Sequence, residues 1–445
     1  MKDDLYFEGL AQDLAKGQLT RRQLLALMAM AGGGLLAGCT VNPVTGQSQF
    51  TLMSPSEEIA IDKENAPHQL SSDYGISRDA RLRDYLAEVG RGVGAQSHRP
   101  NMPYTYNPLN ANYVNAYAFP GGTIGVTRGI MLTMQSEDEL AALIGHEVAH
   151  VSARHTASRM SKQTLAGLAM AGAGILIASK MDSEKAALAM GLGSMAAGAL
   201  LARYSRGDER EADTLGMQYM VKANHSPQGM IDLMDMLRSE SKHQPSLIEQ
   251  MFSSHPMSDE RYADMRANAE QHYAGDLARK VKRERYMDNT ATLRKLKPAI
   301  EKQQAAETAL VAKRYADGEK LLAESLKQAP NDYTGLVLMA KAKMVQERFA
   351  DARPYLDKAI KVYPEEAQAQ HLRGVVDLKL GDASSALEHF MAYENQLPGN
   401  PRTQFFIGVS HEALAQPGAA QLAYQRYLDS GVSGPSADYA RRRIG

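Results

Sequence analysis

Pro330, Pro364 and Pro398 fall 34 residues apart, and that interval restricts the last third of this chain more than any other feature. The same interval relates Gly318, Ala352 and Ala386, then Leu322, Leu356 and Phe390, then Ala340, Gly374 and Gly408. Ala420 and Tyr424 carry it into a fourth unit. A period of this length fits two short helices and their turns. Small residues at fixed positions let paired helices approach closely, and each proline ends a helix by removing a donor and crowding the preceding turn. One such unit cannot bury its apolar face alone, so the units must stack.

The pattern resembles tetratricopeptide repeats, with about four units over 299–434, a charged linker at 286–298 and a tail at 435–445. Repeats of this kind present grooves for peptides or protein surfaces and do no chemistry themselves. At 445 residues the chain is too long for a single core, so a separate domain must precede the repeats. Fifty basic residues against 51 acidic ones give a net charge of −1. There is no basic excess of the kind nucleic acid requires, and no nucleic-acid partner is expected.

Cys39 is the only cysteine. An intramolecular disulfide and a thiolate metal site are therefore excluded, and any metal must be held by His and carboxylates. Residues 1–38 read as an export signal: Arg21-Arg22, an apolar core, then Leu36-Ala37-Gly38 before the cysteine. The core is shorter than the roughly 20 residues a membrane span needs. Leu36-Ala37-Gly38-Cys39 resembles the bacterial lipobox, which implies lipidation of Cys39 and membrane attachment through that lipid. The paired arginines resemble a twin-arginine signal. Thr40 favours the outer membrane if enteric sorting rules apply, so the expected address is the periplasmic side of the outer membrane. Residues 39–58, with Pro43, Gly46 and Pro55, read as a tether.

The domain at 59–285 begins helical and changes character between Tyr104 and Val126, where alternating aromatic and β-branched residues predict a small sheet. Ser136-Glu137-Asp138-Glu139 then looks like a capping box opening a helix that should run past His155. Two Ala-, Gly- and Met-rich stretches follow at 165–179 and 186–202. They fit a buried helical hairpin, a hairpin that dips into a membrane or faces substrate, or, least well, two spans. Sixteen of the 24 Met lie between Met131 and Met287, a hint of an adaptable surface. The fold class expected is predominantly α: an α+β domain with a small sheet, followed by an all-α solenoid.

The chemistry lies in His146-Glu147-Val148-Ala149-His150. Residues four apart share one helix face, so both imidazoles can reach one metal with Glu147 beside it. A catalytic zinc needs a third protein ligand and an open position. Glu209 supplies it: Glu209 and Asp213 are four apart and co-facial, while Glu211 points elsewhere. Asp213 is placed to accept a hydrogen bond from His146 and fix its tautomer. His155 is read as structural, and the charged run around Glu209 could equally be a solvated helix face.

His146–His150, followed 63 residues after His146 by Glu209-Arg210-Glu211-Ala212-Asp213, resembles the HtpX/BepA-type zinc metallopeptidases, related to the CAAX prenyl-peptidases. Asn115–Gly122, Ser254-His255-Pro256 and Arg261 extend the likeness, and protease plus repeats matches the BepA-like arrangement. The resemblance implies one Zn2+ per chain and an active-site role for His255, as a resting ligand or a transition-state donor. It implies that Asn115, Ala116, Tyr117, Ala118 and Phe119 form an edge strand that pairs with substrate. Zinc on His146, His150 and Glu209 would activate water and polarise the carbonyl, with Glu147 as general base and His255 or Arg206 aiding the oxyanion. Two functions fit. One is an endopeptidase of the bacterial cell envelope that degrades misfolded or stalled outer-membrane proteins and assists their assembly, with unfolded or misassembled envelope proteins as substrates and the repeats docking on outer-membrane assembly machinery. The other is a mainly non-catalytic assembly scaffold with a latent metal site.

Overall fold

The computed structural model describes residues 39–162, 203–243 and 245–445. The export signal at 1–38 and the apolar hairpin expected at 165–202 lie outside the described residues. Among the described residues no helix is long and apolar enough to cross a membrane.

The chain opens with an antiparallel hairpin, β1 (Cys39–Val41) on β2 (Ser48–Phe50). This segment, expected as a tether, is bonded to the body: Gln49 donates to the Ala153 carbonyl at 3.1 Å and the Leu52 N–H to Ser161 Oγ at 2.8 Å. Helix α1 (Pro55–Ser72) starts at a capping box formed by Ser54 and Glu57, and α2 (Ala80–Gly94) at Asp79. Three strands follow, β3 (Thr105–Leu109), β4 (Ala116–Ala118) and β5 (Thr123–Thr127), in the order β3-β5-β4. β5 is parallel to β3 and antiparallel to β4. The tight β4–β5 turn requires Gly122 at φ 107°, a conformation that favours glycine.

After α3 (Arg128–Thr133) comes α4 (Glu137–Ser152), every residue of which is buried. Ser136 caps it as the sequence suggests, accepting from the Glu139 N–H at 3.2 Å, although the Glu139 carboxylate reaches the Gln135 N–H instead of the cap's own. The helix does not run past His155. It stops at Ser152, Arg154 turns left-handed at φ 59°, and helix resumes over 155–162. Arg154 is held there by Glu58, the Met53 carbonyl and Thr40. The domain closes with α5 (Arg206–Lys222), α6 (Gln228–His243), α7 (Pro245–Ser254) and α8 (Asp259–His272). Two short helices, α9 (Arg283–Asn289) and α10 (Ala291–Lys295), lead into the repeats.

The repeats form helix pairs: α11 (Lys297–Val311) with α12 (Tyr315–Gln328), α13 (Tyr333–Met344) with α14 (Phe349–Val362), α15 (Gln368–Lys379) with α16 (Ala383–Gln396), and α17 (Pro401–Ala413) with α18 (Pro417–Asp429). A last helix, α19 (Pro435–Ile444), buries Ala437 and Ala440 against the final pair. The 34-residue period has its physical basis here. Gly374 faces the ring of Phe390 and Gly408 that of Tyr424, each so closely that a Cβ would fall under 3 Å from the ring. The fold is predominantly α, as expected.

The repeats do not stand apart from the first domain. Helix α13 is buried along its whole length. Arg128 of α3 forms a two-point ion pair with Asp332, at 2.7 and 3.1 Å, and bonds Gln303 at 2.6 Å. Tyr363 donates to the Ile76 carbonyl at 2.8 Å, and Ser71 to the carboxyl of Glu366. Burial pushes Glu366 up to about 7 from 4.5, against the hydrogen bonds of Ser71, Gln368 and Ala367. The folded state thus holds a proton that the unfolded chain releases. Stability from this group is fully present below pH 4.5 and is lost as pH rises through about 7. Between about pH 5 and pH 8 it should cost roughly 2–3 kcal/mol, and Glu366→Gln should remove that part of the pH dependence in chemical unfolding.

Candidate metal centre

The site is assembled from two helices that cross at glycines. A Cβ on Gly145 of α4 would lie 2.7 Å from the Gly216 carbonyl oxygen, and one on Gly216 of α5 would lie 2.8 Å from the His146 nitrogen. This contact brings the face bearing His146 and His150 against the face bearing Glu209 and Asp213. Ser205, the N-cap, forms a capping box with Asp208 that starts α5 at Arg206 and sets Glu209 in its first turn. His255 follows α7 directly, its N–H bonded to the Met251 carbonyl at 2.7 Å.

His146, His150, Glu209 and His255 each offer one ligand atom, and these atoms all lie within 4.8 Å of one another. The four residues are buried. His146 Nε2 is 3.1 Å from His150 Nε2 and 3.3 Å from His255 Nδ1, while His255 Nδ1 is 3.0 Å from Glu209 Oε1. Ligands on a tetrahedral zinc at about 2.0–2.1 Å stand about 3.3 Å apart, so the donor set fits such an ion. The group can hold a metal ion.

The surrounding charges fix these side chains. His146 Nδ1 lies 2.9 Å from Asp213 Oδ1, the partner expected from the sequence. Arg261, at the start of α8, donates to both Asp213 oxygens at 2.7 Å and pairs with Glu209 Oε2 at 2.7 Å. Burial alone would raise Asp213, but Arg261 and then His146 hold it below the usual carboxylate range. Burial is likewise outweighed at Glu209, where His255, His150 and His146 hold the carboxyl well below its ordinary value. Burial lowers His150 well below the ordinary imidazole range. His255 is raised, because Glu209 and Glu147 overcome the effect of burial.

Glu147 differs from the other carboxylates. It is fully buried, and among the described residues neither of its oxygens has a hydrogen-bond partner. His255 lies within ion-pair reach, with Nε2 3.7 Å from Glu147 Oε1. Burial raises it above the usual carboxylate range, with His255 and His146 opposing. A buried polar group without a partner costs stability, and such a cost is found where the group has work to do.

The strand Ala116–Ala118 packs against α4, and Ala116 and Ala118 share its core with Leu143 and Ile144. It is an outer strand, and among the described residues nothing pairs with its free edge. Asn115 and Phe119 flank it, both buried, and the Tyr117 hydroxyl donates to Asp73 at 2.6 Å. Cys39 lies in β1. Arg206 opens α5, exposed, and enters no contact of the cluster. Tyr204 was not singled out by sequence. Its ring stacks on His150 with centroids 3.8 Å apart and planes 17° from parallel. Nothing local marks it, since it stands just outside α5, before the Ser205 cap.

A family model described as peptidase family M48 matches residues 79–269, and one described as tetratricopeptide repeat matches residues 309–376. Metalloprotease LoiP of Escherichia coli (strain K12) is 30% identical over 253 residues, which are 54% of this chain and 94% of that protein. The chain belongs to peptidase family M48. This bears out the resemblance read from His146–His150 and Glu209–Asp213. Metalloprotease YcaL of the same strain is 28% identical, over 54% of this chain and 95% of that protein. The beta-barrel assembly-enhancing protease of Yersinia pestis is 30% identical over 54% of this chain and 49% of its own length. The chain spans about half the length of the beta-barrel assembly-enhancing proteases it matches.

The glycine crossing yields a test. Gly216→Ala should push α4 and α5 apart, costing about 1–3 kcal/mol in chemical unfolding and lowering the metal content of the purified chain. Gly207→Ala in the same helix, where the nearest atom would be 3.7 Å away, should do neither.

Proposed function

We propose that this protein is a zinc-dependent endopeptidase of the bacterial cell envelope. The observation that carries the reading is the pairing of a convergent donor set, His146, His150, Glu209 and His255, with a buried Glu147 whose oxygens have no partner among the described residues. When bound, Zn2+ supplies Lewis acidity toward water and toward a peptide carbonyl. Glu147 is next to the cluster on the same turn of α4 and acts as general base. It takes a proton from the attacking water and returns it to the leaving amine, a role suited to a carboxyl held above its ordinary range.

Three groups position these parts. Asp213 takes the Nδ1 hydrogen of His146, and Arg261 keeps Asp213 and Glu209 ionised. His255 is either a further ligand in the resting enzyme or a donor to the developing oxyanion. The free edge of Ala116–Ala118, with Asn115 and Phe119 at its ends, pairs with an extended substrate through main-chain hydrogen bonds. Because the Tyr117 side chain is occupied by Asp73, that pairing selects extended conformation more than sequence.

Substrates are misfolded or stalled envelope proteins, and the repeats meet outer-membrane assembly machinery. The Yersinia and Escherichia relatives, beta-barrel assembly-enhancing proteases by name, support this reading. Lipid on Cys39 holds the enzyme at the periplasmic face of the outer membrane. Glu147→Gln should keep its zinc and lose about 10²–10⁴-fold in peptide cleavage. Normal cleavage by zinc-loaded Glu147→Gln would remove Glu147 from the chemistry, and full rescue of envelope assembly by that variant would favour the scaffold reading. Labelling with a lipid precursor should mark the chain and be lost in Cys39→Ala.

A further inference from the structure

His155 and Glu211 lie outside the donor cluster, and the sequence gives neither a role beside it. In a straight helix a residue five positions on points about 140° away, so His155 would face away from His150. The left-handed turn at Arg154 changes this. Arg154 is pinned by Glu58 at 2.9 Å, by the Met53 carbonyl at 2.6 Å and by Thr40 at 2.6 Å, and the chain re-enters helix with His155 directly behind His150. His155 is buried, and its Nδ1 lies 2.9 Å from His150 Nδ1. Its other nitrogen, Nε2, lies 3.3 Å from Glu211 Oε2 and 3.8 Å from Asp208 Oδ1.

We propose, resting on the reading of His150 as a metal ligand, that His155 and Glu211 are positioning residues that set the tautomer of His150. The hydrogen positions follow from the partners. A neutral imidazole carries one N–H. His155 Nε2 faces two carboxylates, which accept only, so the hydrogen sits there and Nδ1 keeps its lone pair. That lone pair accepts the Nδ1–H of His150. His150 Nε2 is left without a hydrogen and presents its lone pair to the centre, 3.1 Å from His146 Nε2. The opposite tautomer would put an N–H into the place of the ion. Asp213 does for His146, in one step, what His155 and Glu211 do for His150 in two. Tyr204 completes the arrangement by fixing the plane of the His150 ring.

Glu211 therefore does not merely face away from the cluster. One turn of α5 presents Glu209 to the centre and, two residues on, Glu211 to the back of the opposing ligand. The chain reaches from a partly exposed carboxylate to a buried imidazole, and such supporting partners are worth roughly 10–100-fold in metal affinity.

The test is Zn2+ affinity of the full chain, measured by competition with a chromophoric chelator, with the Co2+ absorption spectrum recorded alongside. His155→Leu, which keeps bulk and removes the acceptor, should weaken Zn2+ binding about 10–100-fold and shift the Co2+ bands. His155→Asn places an oxygen near the Nδ1 position and should recover most of the affinity. Glu211→Leu, at a partly exposed position with little risk to folding, should weaken Zn2+ binding by a smaller factor. A packing role would reverse the order of Leu and Asn at position 155, and that order would overturn the proposal. So would unchanged Zn2+ affinity and an unchanged Co2+ spectrum in Glu211→Leu together with a folded His155→Leu. Failure of the unsubstituted chain to bind Zn2+ would instead overturn the metal-centre reading itself.

Discussion

The backbones of α4 and α5 touch where Gly145 meets Gly216, and the functional half of the molecule is organised by that contact. Ligands contributed by two helices reach one point only if the helix axes are close, because imidazole and carboxylate side chains are short. A Cβ at either position would lie under 3 Å from the facing backbone, so the helices would have to move apart. The contact also excludes water, which makes each hydrogen bond and each ion pair nearby stronger and each unpaired charge more costly.

Burying three carboxylates within two turns of α4 and α5 would cost several kcal/mol apiece without compensation. Two of them have it. Arg261 binds Asp213 through both oxygens and reaches Glu209, while His146, His150 and His255 lie on the other side. Glu147 has His255 at 3.7 Å but no hydrogen bond to either oxygen among the described residues, and its carboxyl is held above the ordinary range. The same helix thus carries two imidazoles locked by neighbours and one carboxyl left available to move a proton. That contrast is what a proton-transferring site beside a metal requires.

The joint with the repeats is of the same kind. Arg128, Asp332 and Gln303 form a buried polar network across it, and Lys341 of α13 lies over the ring of Tyr74. Asp73, between these, accepts from Tyr113 and from Tyr117 of the outer strand β4. The strand nearest α4 is therefore held through Asp73 by the same region that seats α13. Polar joints of this sort specify one arrangement, since a small displacement leaves several buried groups without partners.

Much of this protein was legible in the sequence. The repeat period and the co-facial pairs His146/His150 and Glu209/Asp213 follow from helical geometry, because each depends on residues four or 34 apart and on side chains whose chemistry allows few uses. His155 and Tyr204 did not follow. Their positions depend on a left-handed residue at 154 held by groups from residues 40–58, and on the packing of the residue just before α5 against a ring of α4, neither of which has a local signature. Glu211 was legible as a charge but not as a partner. Local pattern determines which faces helices offer. Only tertiary structure decides what stands behind a ligand, because the second layer of a site comes from segments distant in the chain and is brought there by packing.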